Sequence, residues 1–211
     1  MTPIAGALVG ITALIAVADW VAVMRSLRRL EYLAKPAVMV GLIAVAIAVH
    51  PISSTERAFF VAALALGLLS DVFLMLPRDM FVAGLAAALV EQVAYIAGFR
   101  ARSLNAGLLV VAAITVLVSM ALVLPAIHRA LRKAHPALVA PVLVYVAVFA
   151  VMVTSAGGTG SGVALAGALL FFYSDALLAW NRFVKPIPGG RIANIVVYHA
   201  GQALLVVSLV S

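Results

Sequence analysis

The chain contains no cysteine among its 211 residues. Without thiols it can form no disulfide bond, no cysteine-ligated zinc site and no cysteine nucleophile. Charge is scarce as well, because only 10% of the residues are charged and the acidic ones number seven. A soluble domain carries about a quarter charged residues. This composition therefore excludes the usual soluble enzyme or binding module.

Apolar sequence is what the chain has in excess: 66% of its residues are hydrophobic, with a mean hydropathy of +1.24. A helix needs about 20 apolar residues to cross a membrane, and lipid leaves backbone groups no partners outside the helix. We therefore predict an all-α polytopic transmembrane bundle of about eight helices, forming a single domain over residues 1–211. The predicted helices are Pro3–Met24, Pro36–His50, Ala58–Leu76, Phe81–Phe99, Ala106–Ile127, Pro136–Ser155, Gly160–Trp180 and Ile192–Val210.

Proline and glycine mark the predicted breaks between these helices. Pro36 and Pro136 suit the first turn of a helix, whereas Pro51 and Pro77 suit positions just after a helix end. Gly157 and Gly158 are read as a turn, as is the Pro188–Gly190 segment. The second helix is the shortest, and its loss would reverse the direction of every later helix.

Most basic residues fall in the links between predicted helices, where they indicate topology. With the N-terminus away from the cytoplasm, the inner residues outnumber the outer ones, as the positive-inside rule requires. The inner set is Arg25, Arg28, Arg29, Lys35, Arg78, Arg129, Arg132, Lys133, Arg182, Lys185 and Arg191, and the outer set is Arg57, Arg100 and Arg102. We expect both termini outside a bacterial inner (plasma) membrane. The first apolar run should be retained as a span, because basic residues follow it rather than precede it.

Two Ser-Asp pairs occupy equivalent places in the third and seventh predicted helices. Residues 69–74 read LSDVFL and residues 173–178 read YSDALL. Four helices per half would make this a 4+4 parallel repeat, which would place two like sites on opposite sides of one cavity. Since the match is short, the repeat is a hypothesis.

Four acidic residues fall inside predicted spans: Asp19, Asp71, Glu91 and Asp175. A carboxylate there costs about 2.5–3.5 kcal/mol on insertion scales and normally faces away from lipid. The three aspartates share a depth of roughly 10 Å below the inner face, estimated from the helical rise, so they could converge in one cavity. The alternative is a structural tether to a basic residue or hydroxyl, and it is strongest for Asp19. We expect Asp71 and Asp175 to face one another.

Polar residues also follow helical spacing on the fourth and eighth predicted helices. Glu91 and Tyr95 share a face of the fourth helix with small residues that let a neighbouring helix approach. Asn194, Tyr198 and Gln202 form a stripe on the eighth helix. Interhelical hydrogen bonding is the structural alternative for this stripe.

Other site types find little support. No pair of histidines has metal-ligand spacing, so we expect no metal or other cofactor. Ser70 and Ser174 lie outside a Gly-x-Ser-x-Gly motif and lack a histidine placed as base, which argues against a serine hydrolase. The basic residues form no stripe on a soluble face, so we expect no nucleic-acid partner.

Five segments together carry a family pattern: Leu68–Pro77, Phe81–Leu85, Gly167–Phe171, Ser174–Leu178 and Tyr198–Gln202. They resemble the lysoplasmalogenase family of multi-pass membrane proteins (YhhN-like), and the resemblance runs from about Ala58 to the end of the chain. Two positions depart from the family's usual pattern. Ser70 stands where glycine is usual, and Glu91 stands where histidine is usual.

The resemblance implies hydrolysis of the vinyl-ether bond of lysoplasmalogens to a fatty aldehyde and a glycerophospho head group. An acid would protonate the alkenyl carbon, and a carboxylate would assist attack of water on the resulting cation, as in glycosidases. We assign acid and base to Asp71 and Asp175 without choosing between them. The candidate substrate-binding residues are Glu91, Tyr95, Asn194, Tyr198 and Gln202. The expected partners are a single-chain ether lysophospholipid, entering laterally, and membrane lipids.

Two other functions stay open at this point. Intramembrane acids in repeated halves also suit a small proton-coupled membrane transporter, which would need access to both faces. A non-catalytic lipid-binding or assembly protein would tolerate loss of either aspartate. The sequence leaves the head group, the chain length and the oligomeric state undetermined.

Overall fold

The computed structural model describes residues 2–211, which form eight long α-helices joined by short links. The helices are α1 Pro3–Met24, α2 Arg28–Ala48, α3 Ser54–Met75, α4 Phe81–Phe99, α5 Ala106–Ala134, α6 Val139–Gly158, α7 Gly162–Ala179 and α8 Gly190–Ser208. A 3₁₀ turn at Pro136–Leu138 precedes α6, and a π-helical turn at Trp180–Val184 extends α7. All eight helices are long and apolar enough to cross a membrane. The predicted all-α fold is confirmed, and the chain is a multi-pass integral membrane protein.

Consecutive helices pack as pairs: α1 with α2, α3 with α4, α5 with α6, and α7 with α8. The pairs are joined by contacts of α2 with α3, of α4 with α6, and of α6 with α7. Helix α5 is the most peripheral, since only Ala112, Val116, Ile127 and Leu131 of its 29 residues are buried. This pairing neither requires nor excludes an internal repeat, so the 4+4 repeat stays a prediction.

Glycines allow the backbones of α7 and α8 to touch. A Cβ atom placed on Gly201 would lie 2.7 Å from the Phe171 nitrogen, and one on Gly167 would lie 2.9 Å from the Leu205 nitrogen. Small residues at such crossings are the usual way for membrane helices to approach closely. This contact fixes the depth of the polar stripe on α8 relative to the Ser-Asp pair on α7.

Several predicted helix ends were wrong, and α3, for example, begins at Ser54 rather than at Ala58. Helix α2 begins at Arg28, so Pro36 lies inside it rather than in its first turn. Helix α5 runs on to Ala134. In both cases charged turns extend the helix beyond the apolar run on which the prediction relied. Gly157 and Gly158 belong to α6 rather than to a turn, because a Cβ atom on Gly157 would lie 2.5 Å from the Leu108 carbonyl oxygen of α5.

The two ends of the bundle differ in charge. The links α1–α2, α3–α4, α5–α6 and α7–α8 meet at one end, which carries most of the arginines and is called the basic end below. At the opposite end Arg102 Nε donates to Glu56 Oε2 at 2.8 Å, and its guanidinium also donates to the carbonyls of Ser208 and Ser211. Glu56 is a buried acid of α3 that the sequence analysis did not single out. Arg102 therefore ties α3 to the end of α8.

Candidate active site

A cavity inside the bundle is lined by residues of helices α2 to α8. Water-molecule centres can occupy about 110 Å³ of it. One water needs about 10–15 Å³ on this measure. Most of the lining is apolar, and the polar exceptions include Asp71, Glu91 and Asp175. The cavity therefore has room for water and presents carboxyl groups in apolar surroundings.

Asp71 of α3 is held by a cation and a phenol. Lys35 Nζ lies 2.7 Å from Asp71 Oδ1, and Tyr198 donates its hydroxyl to Asp71 Oδ2 at 2.8 Å. The preceding Ser70 donates to the Gly84 carbonyl of α4 at 2.9 Å, which fixes this part of α3. Lys35 thus supplies a compensating positive charge beside the Asp71 carboxyl group.

Asp175 of α7 has a different environment. Tyr145 of α6 donates its hydroxyl to Asp175 Oδ2, and Ser174 Oγ lies 3.5 Å from Oδ1. Among residues 2–211, no lysine, arginine or histidine forms an ion pair with Asp175. The two aspartates thus line one cavity in different environments. Asp71 forms an ion pair, whereas Asp175 is hydrogen-bonded to neutral hydroxyl groups.

Glu91 of α4 ends a chain of buried side chains. Tyr95 donates to Gln202 Oε1 at 2.5 Å, and Gln202 Nε2 donates to Glu91 Oε1 at 2.7 Å. Gly67 of α3 makes room for this carboxyl, since a Cβ atom there would lie 2.6 Å from Glu91 Oε1. Glu91 lines the cavity, whereas Tyr95 and Gln202 are fully buried behind it. Tyr95 and Gln202 therefore support the cavity wall from behind and do not line it.

The other two residues of the α8 stripe reach the cavity directly. Tyr198 binds Asp71 as described above, and its ring lies beneath the Lys35 ammonium, 5.5 Å from the centroid. Asn194 lines the cavity nearer the basic end and donates to the Ser174 carbonyl at 2.6 Å. The stripe thus combines cavity lining with the interhelical bonding that the sequence left as its alternative.

Asp19 does not join the other two aspartates. It is fully buried on α1, and its Oδ2 lies 3.9 Å from His199 Nε2, while Trp20 Nε1 donates to His199 Nδ1 at 3.1 Å. Helix α1 packs on α2 and α8 and contributes no residue to the cavity lining. The possibility that all three aspartates converge therefore does not hold for Asp19, because similar depth in the membrane does not place two helices side by side.

Sequence reasoning missed two residues of the site. Lys35 was counted among the links as a topology signal, but it lies in α2 and pairs with Asp71. Tyr145 lies in an otherwise apolar helix and gave no periodic pattern. Neither residue carries a local sequence signal, because Lys35 directly precedes the predicted start of the second helix and Tyr145 lies in a run of valines.

An apolar part of the cavity extends toward α5 and α6. Met120 and Leu124 of α5 line it together with Phe149 of α6 and Phe172 of α7. An outer groove on α5 and α6 shares Met120 and Leu124 with the cavity. These two side chains therefore separate the cavity from the lipid-facing surface of the bundle.

A family profile and similar characterised proteins point to the same family. The sequence profile described as the YhhN family matches residues 30–209. The chain is 32% identical over 146 residues to lysoplasmalogenase TMEM86B of Homo sapiens, covering 69% of this chain and 61% of that protein. It is 31% identical over 149 residues to the Mus musculus protein of the same name, with the same coverages. The match thus spans less than two thirds of these relatives, and no solved structure matches significantly. On the strength of the profile match, which covers most of its length, the chain belongs to the YhhN family.

Proposed function

We propose that this protein is a membrane-embedded hydrolase that cleaves the vinyl-ether bond of lysoplasmalogen-type lipids. The observation that carries the proposal is a pair of aspartates, Asp71 and Asp175, that line one largely apolar cavity in contrasting environments. Relatives named lysoplasmalogenase support the reaction type. The reaction consumes one water, releases an aldehyde and a glycerol hydroxyl, and changes no oxidation state overall.

Asp175 acts as the acid in this mechanism. It lacks a cationic partner among the described residues, and a carboxyl group in apolar surroundings avoids the cost of a buried charge by holding a proton. Its proton passes to the alkenyl carbon farther from the ether oxygen, and the π electrons form the new C–H bond. The ether oxygen then shares its lone pair with the neighbouring carbon, giving an oxocarbenium ion.

Asp71 acts as the base and as the negative charge that stabilises this cation. Lys35 and Tyr198 compensate its negative charge while leaving lone pairs on both oxygens to accept from water. Water attacks the cationic carbon and gives a proton to Asp71, which forms a hemiacetal. The hemiacetal hydroxyl then returns a proton to Asp175, Asp71 passes its proton to the leaving glycerol oxygen, and both groups are restored.

The hydrocarbon chain of the substrate enters between helices from the lipid. Helix α5 is the wall that moves, because few of its residues are buried and Pro125 removes one of its backbone hydrogen bonds. Met120 and Leu124 lie between the cavity and the outer groove, so their displacement would join the two. The hydrocarbon chain of the substrate then lies against the aromatic side chains of α6 and α7.

A proton-coupled carrier is less well supported. A carrier needs its central site to open toward both faces in turn. Beyond Glu91, buried Phe60 packs edge-on against Tyr95 and Phe99, with ring centroids 4.9 and 5.2 Å apart. These rings fill the space between the cavity and the other end of the bundle. They therefore block the way from the cavity to that end, as expected for a closed pocket rather than for a carrier.

In the proposed orientation the basic end lies on the cytoplasmic side of a bacterial inner membrane, and both termini lie on the opposite side. The charge asymmetry of the links supports it. The cavity then faces lipid of the inner leaflet near its polar surface.

Purified protein supplied with a lysoplasmalogen, its saturated alkyl-ether analogue and its acyl analogue tests the proposal. We expect aldehyde from the vinyl ether alone, because the other two cannot form the cation by protonation at carbon. In D₂O the aldehyde should carry one deuterium at C2, which distinguishes carbon protonation from other routes. Turnover of the acyl lipid at a similar rate, or no turnover of any vinyl ether, would contradict the proposal.

A further inference from the structure

A second, charged depression lies outside the cavity at the basic end, and we call it the vestibule. It shares Lys35, Leu74, Phe81 and Asn194 with the cavity lining, so the two are continuous. Its charged lining consists of Arg28, Glu31, Lys35, Arg182 and Arg191. Lys35 pairs with Asp71, Arg182 with Asp79 and Arg191 with Glu31, so the charge of Arg28 is left over and the vestibule carries a net positive charge.

We propose that the vestibule binds the phosphodiester of a lysophospholipid whose vinyl ether lies between Asp71 and Asp175. This inference rests on the proposed function and adds a head-group site to it. It places the head group at the basic end rather than beside Glu91, which lies deep in the bundle. Arginine suits this task because its planar guanidinium pairs with phosphate oxygens through two parallel hydrogen bonds.

The arginines of the vestibule keep donors available for a ligand. Arg191 contacts Glu31 through Nη2 alone, at 2.8 and 3.0 Å, and Arg182 contacts Asp79 through Nη2 alone, at 3.1 Å. The Arg182 guanidinium also lies over the Phe81 ring, 4.3 Å from its centroid, which holds it at the mouth of the cavity. Within residues 2–211, the Arg28 side chain forms no ion pair.

Spacing along the helices matches the dimensions of the lipid. Arg28 lies seven residues before Lys35 on α2, and Arg182 lies seven residues after Asp175, which is roughly 10 Å along a helix axis in each case. The phosphorus of a lysoplasmalogen lies five covalent bonds from its vinyl-ether oxygen, a span of roughly 6 Å. The difference is within the length of an arginine side chain.

Backbone and acidic groups fit the rest of a zwitterionic head group. Helices α2 and α8 both begin at the vestibule, and helix N-termini favour anions. Glu31 lines the same depression, and although Arg191 contacts both of its oxygens, lone pairs remain on them to attract the ammonium of an ethanolamine or choline group. A phosphate at Arg28 and an ammonium at Glu31 would lie one helical turn apart.

Kinetics with two substrates of equal chain length test this assignment. One is an ethanolamine lysoplasmalogen, and the other is the 1-alkenylglycerol that carries the same vinyl ether without phosphate. Arg28→Gln should raise KM for the phospholipid about tenfold, as expected for a partly exposed charge-assisted contact. It should leave kcat and the KM for 1-alkenylglycerol unchanged, and Arg28→Lys should recover part of the loss.

Arg29→Gln is the matched control, because Arg29 is the next residue of the same helical turn and does not line the vestibule. It should leave KM unchanged for both substrates. Equal effects of Arg28→Gln and Arg29→Gln would overturn the proposal, since they would indicate general attraction of the basic end for anionic surfaces. An equal rise in KM for both substrates would overturn it as well.

Binding of an inert analogue separates this proposal from the enzymatic one. A saturated 1-alkyl-glycerophosphoethanolamine should stabilise the purified protein against heat more than 1-alkylglycerol does, and Arg28→Gln should abolish the difference. If that difference is present in a protein that hydrolyses no vinyl ether, the head-group site stands and the proposed reaction fails. Equal stabilisation by inorganic phosphate alone would assign the vestibule to free phosphate and overturn the lipid assignment.

Discussion

Lys35 neutralises Asp71 across the contact between α2 and α3, at a depth where an unpaired charge is costly. Lys35→Met should lower kcat at least about tenfold, because the carboxyl group that acts as base would lose the cation and the contact that position it. It should also lower the melting temperature, since removal of one partner leaves the other charge uncompensated. Aldehyde release and thermal melts of the purified variants measure both effects.

The control is the double variant Lys35→Met with Asp71→Asn, which removes both charges. It should regain thermal stability but not activity. A double variant as unstable as Lys35→Met alone would show that the lysine stabilises the fold by other contacts. Lys35→Arg, which keeps the charge, should retain more activity than Lys35→Met.

Glu91 should matter less than the two aspartates. In Glu91→Gln the new amide oxygen can still accept from Gln202 Nε2, so the buried chain that begins at Tyr95 is preserved. We expect a loss of about tenfold in kcat/KM, below the usual range for a group that transfers protons. Glu91→Leu should be worse than Glu91→Gln, because Gln202 would be left unpaired. Steady-state kinetics decide this, and a Glu91→Gln loss equal to that of an aspartate variant would contradict the supporting role.

At this scale the sequence predicted the acids better than their partners. Asp71, Glu91 and Asp175 were found because a carboxyl group inside an apolar run is rare and costly. Lys35 and Tyr145 were missed because their roles depend on contacts between helices far apart in the chain. No local pattern distinguishes them from a link residue or an ordinary core tyrosine.

The contact between α7 and α8 depends on two glycines. In Gly201→Ala the added methyl group would lie 2.7 Å from the Phe171 nitrogen, so the helices must separate. Overpacking of this kind costs about 1–3 kcal/mol. We expect a lower melting temperature together with reduced activity, since a shift of α8 would displace Asn194 and Tyr198 from the cavity lining. Gly10→Ala on α1, where nothing lies within 4 Å, is the control and should be neutral or slightly stabilising. Equal melting temperatures for the two variants would contradict this packing.

Helix existence could be predicted well and helix ends less well. Apolar runs long enough to span a membrane indicated all eight helices, and α1 and α4 have the predicted bounds. The misplaced ends lie where charged turns continue a helix into the polar layer, as in the first turns of α2. Gly157 shows the other source of error, because a glycine can serve close packing as well as a turn.

The absence of cysteine makes the orientation of the whole molecule directly testable. Single cysteines at Ser103, Lys185 and Ser211 would all be exposed, and Lys185 lies at the basic end, opposite the other two. In intact cells a membrane-impermeant maleimide should label the Ser103 and Ser211 variants, and the Lys185 variant only after permeabilisation. The reverse labelling would contradict the proposed orientation, and labelling of Ser103 and Ser211 from different sides would contradict the fold.

The lateral arrangement of the whole site could not be predicted from the sequence. Common depth correctly suggested that Asp71 and Asp175 share a cavity, but it also suggested Asp19, which lies behind α2 and α8. Depth follows from position along each helix, whereas lateral neighbours follow from packing of the whole bundle. The continuity of the cavity with the vestibule is likewise a property of seven helices together.

The central claim is that Asp71 and Asp175 act as one catalytic unit, and the measurement that tests it is aldehyde release from lysoplasmalogen by Asp71→Asn, Asp175→Asn and the double variant. Asparagine keeps shape and hydrogen bonding but cannot exchange the proton, so each single variant should lose about 10²–10⁴-fold in kcat. The double variant should be little worse than the worse single one. A single cooperative thermal transition in each variant confirms folding, and Asp71→Asn should melt at a lower temperature because Lys35 loses its partner. Wild-type rates in both single variants, with folding intact, would contradict the two-carboxylate account.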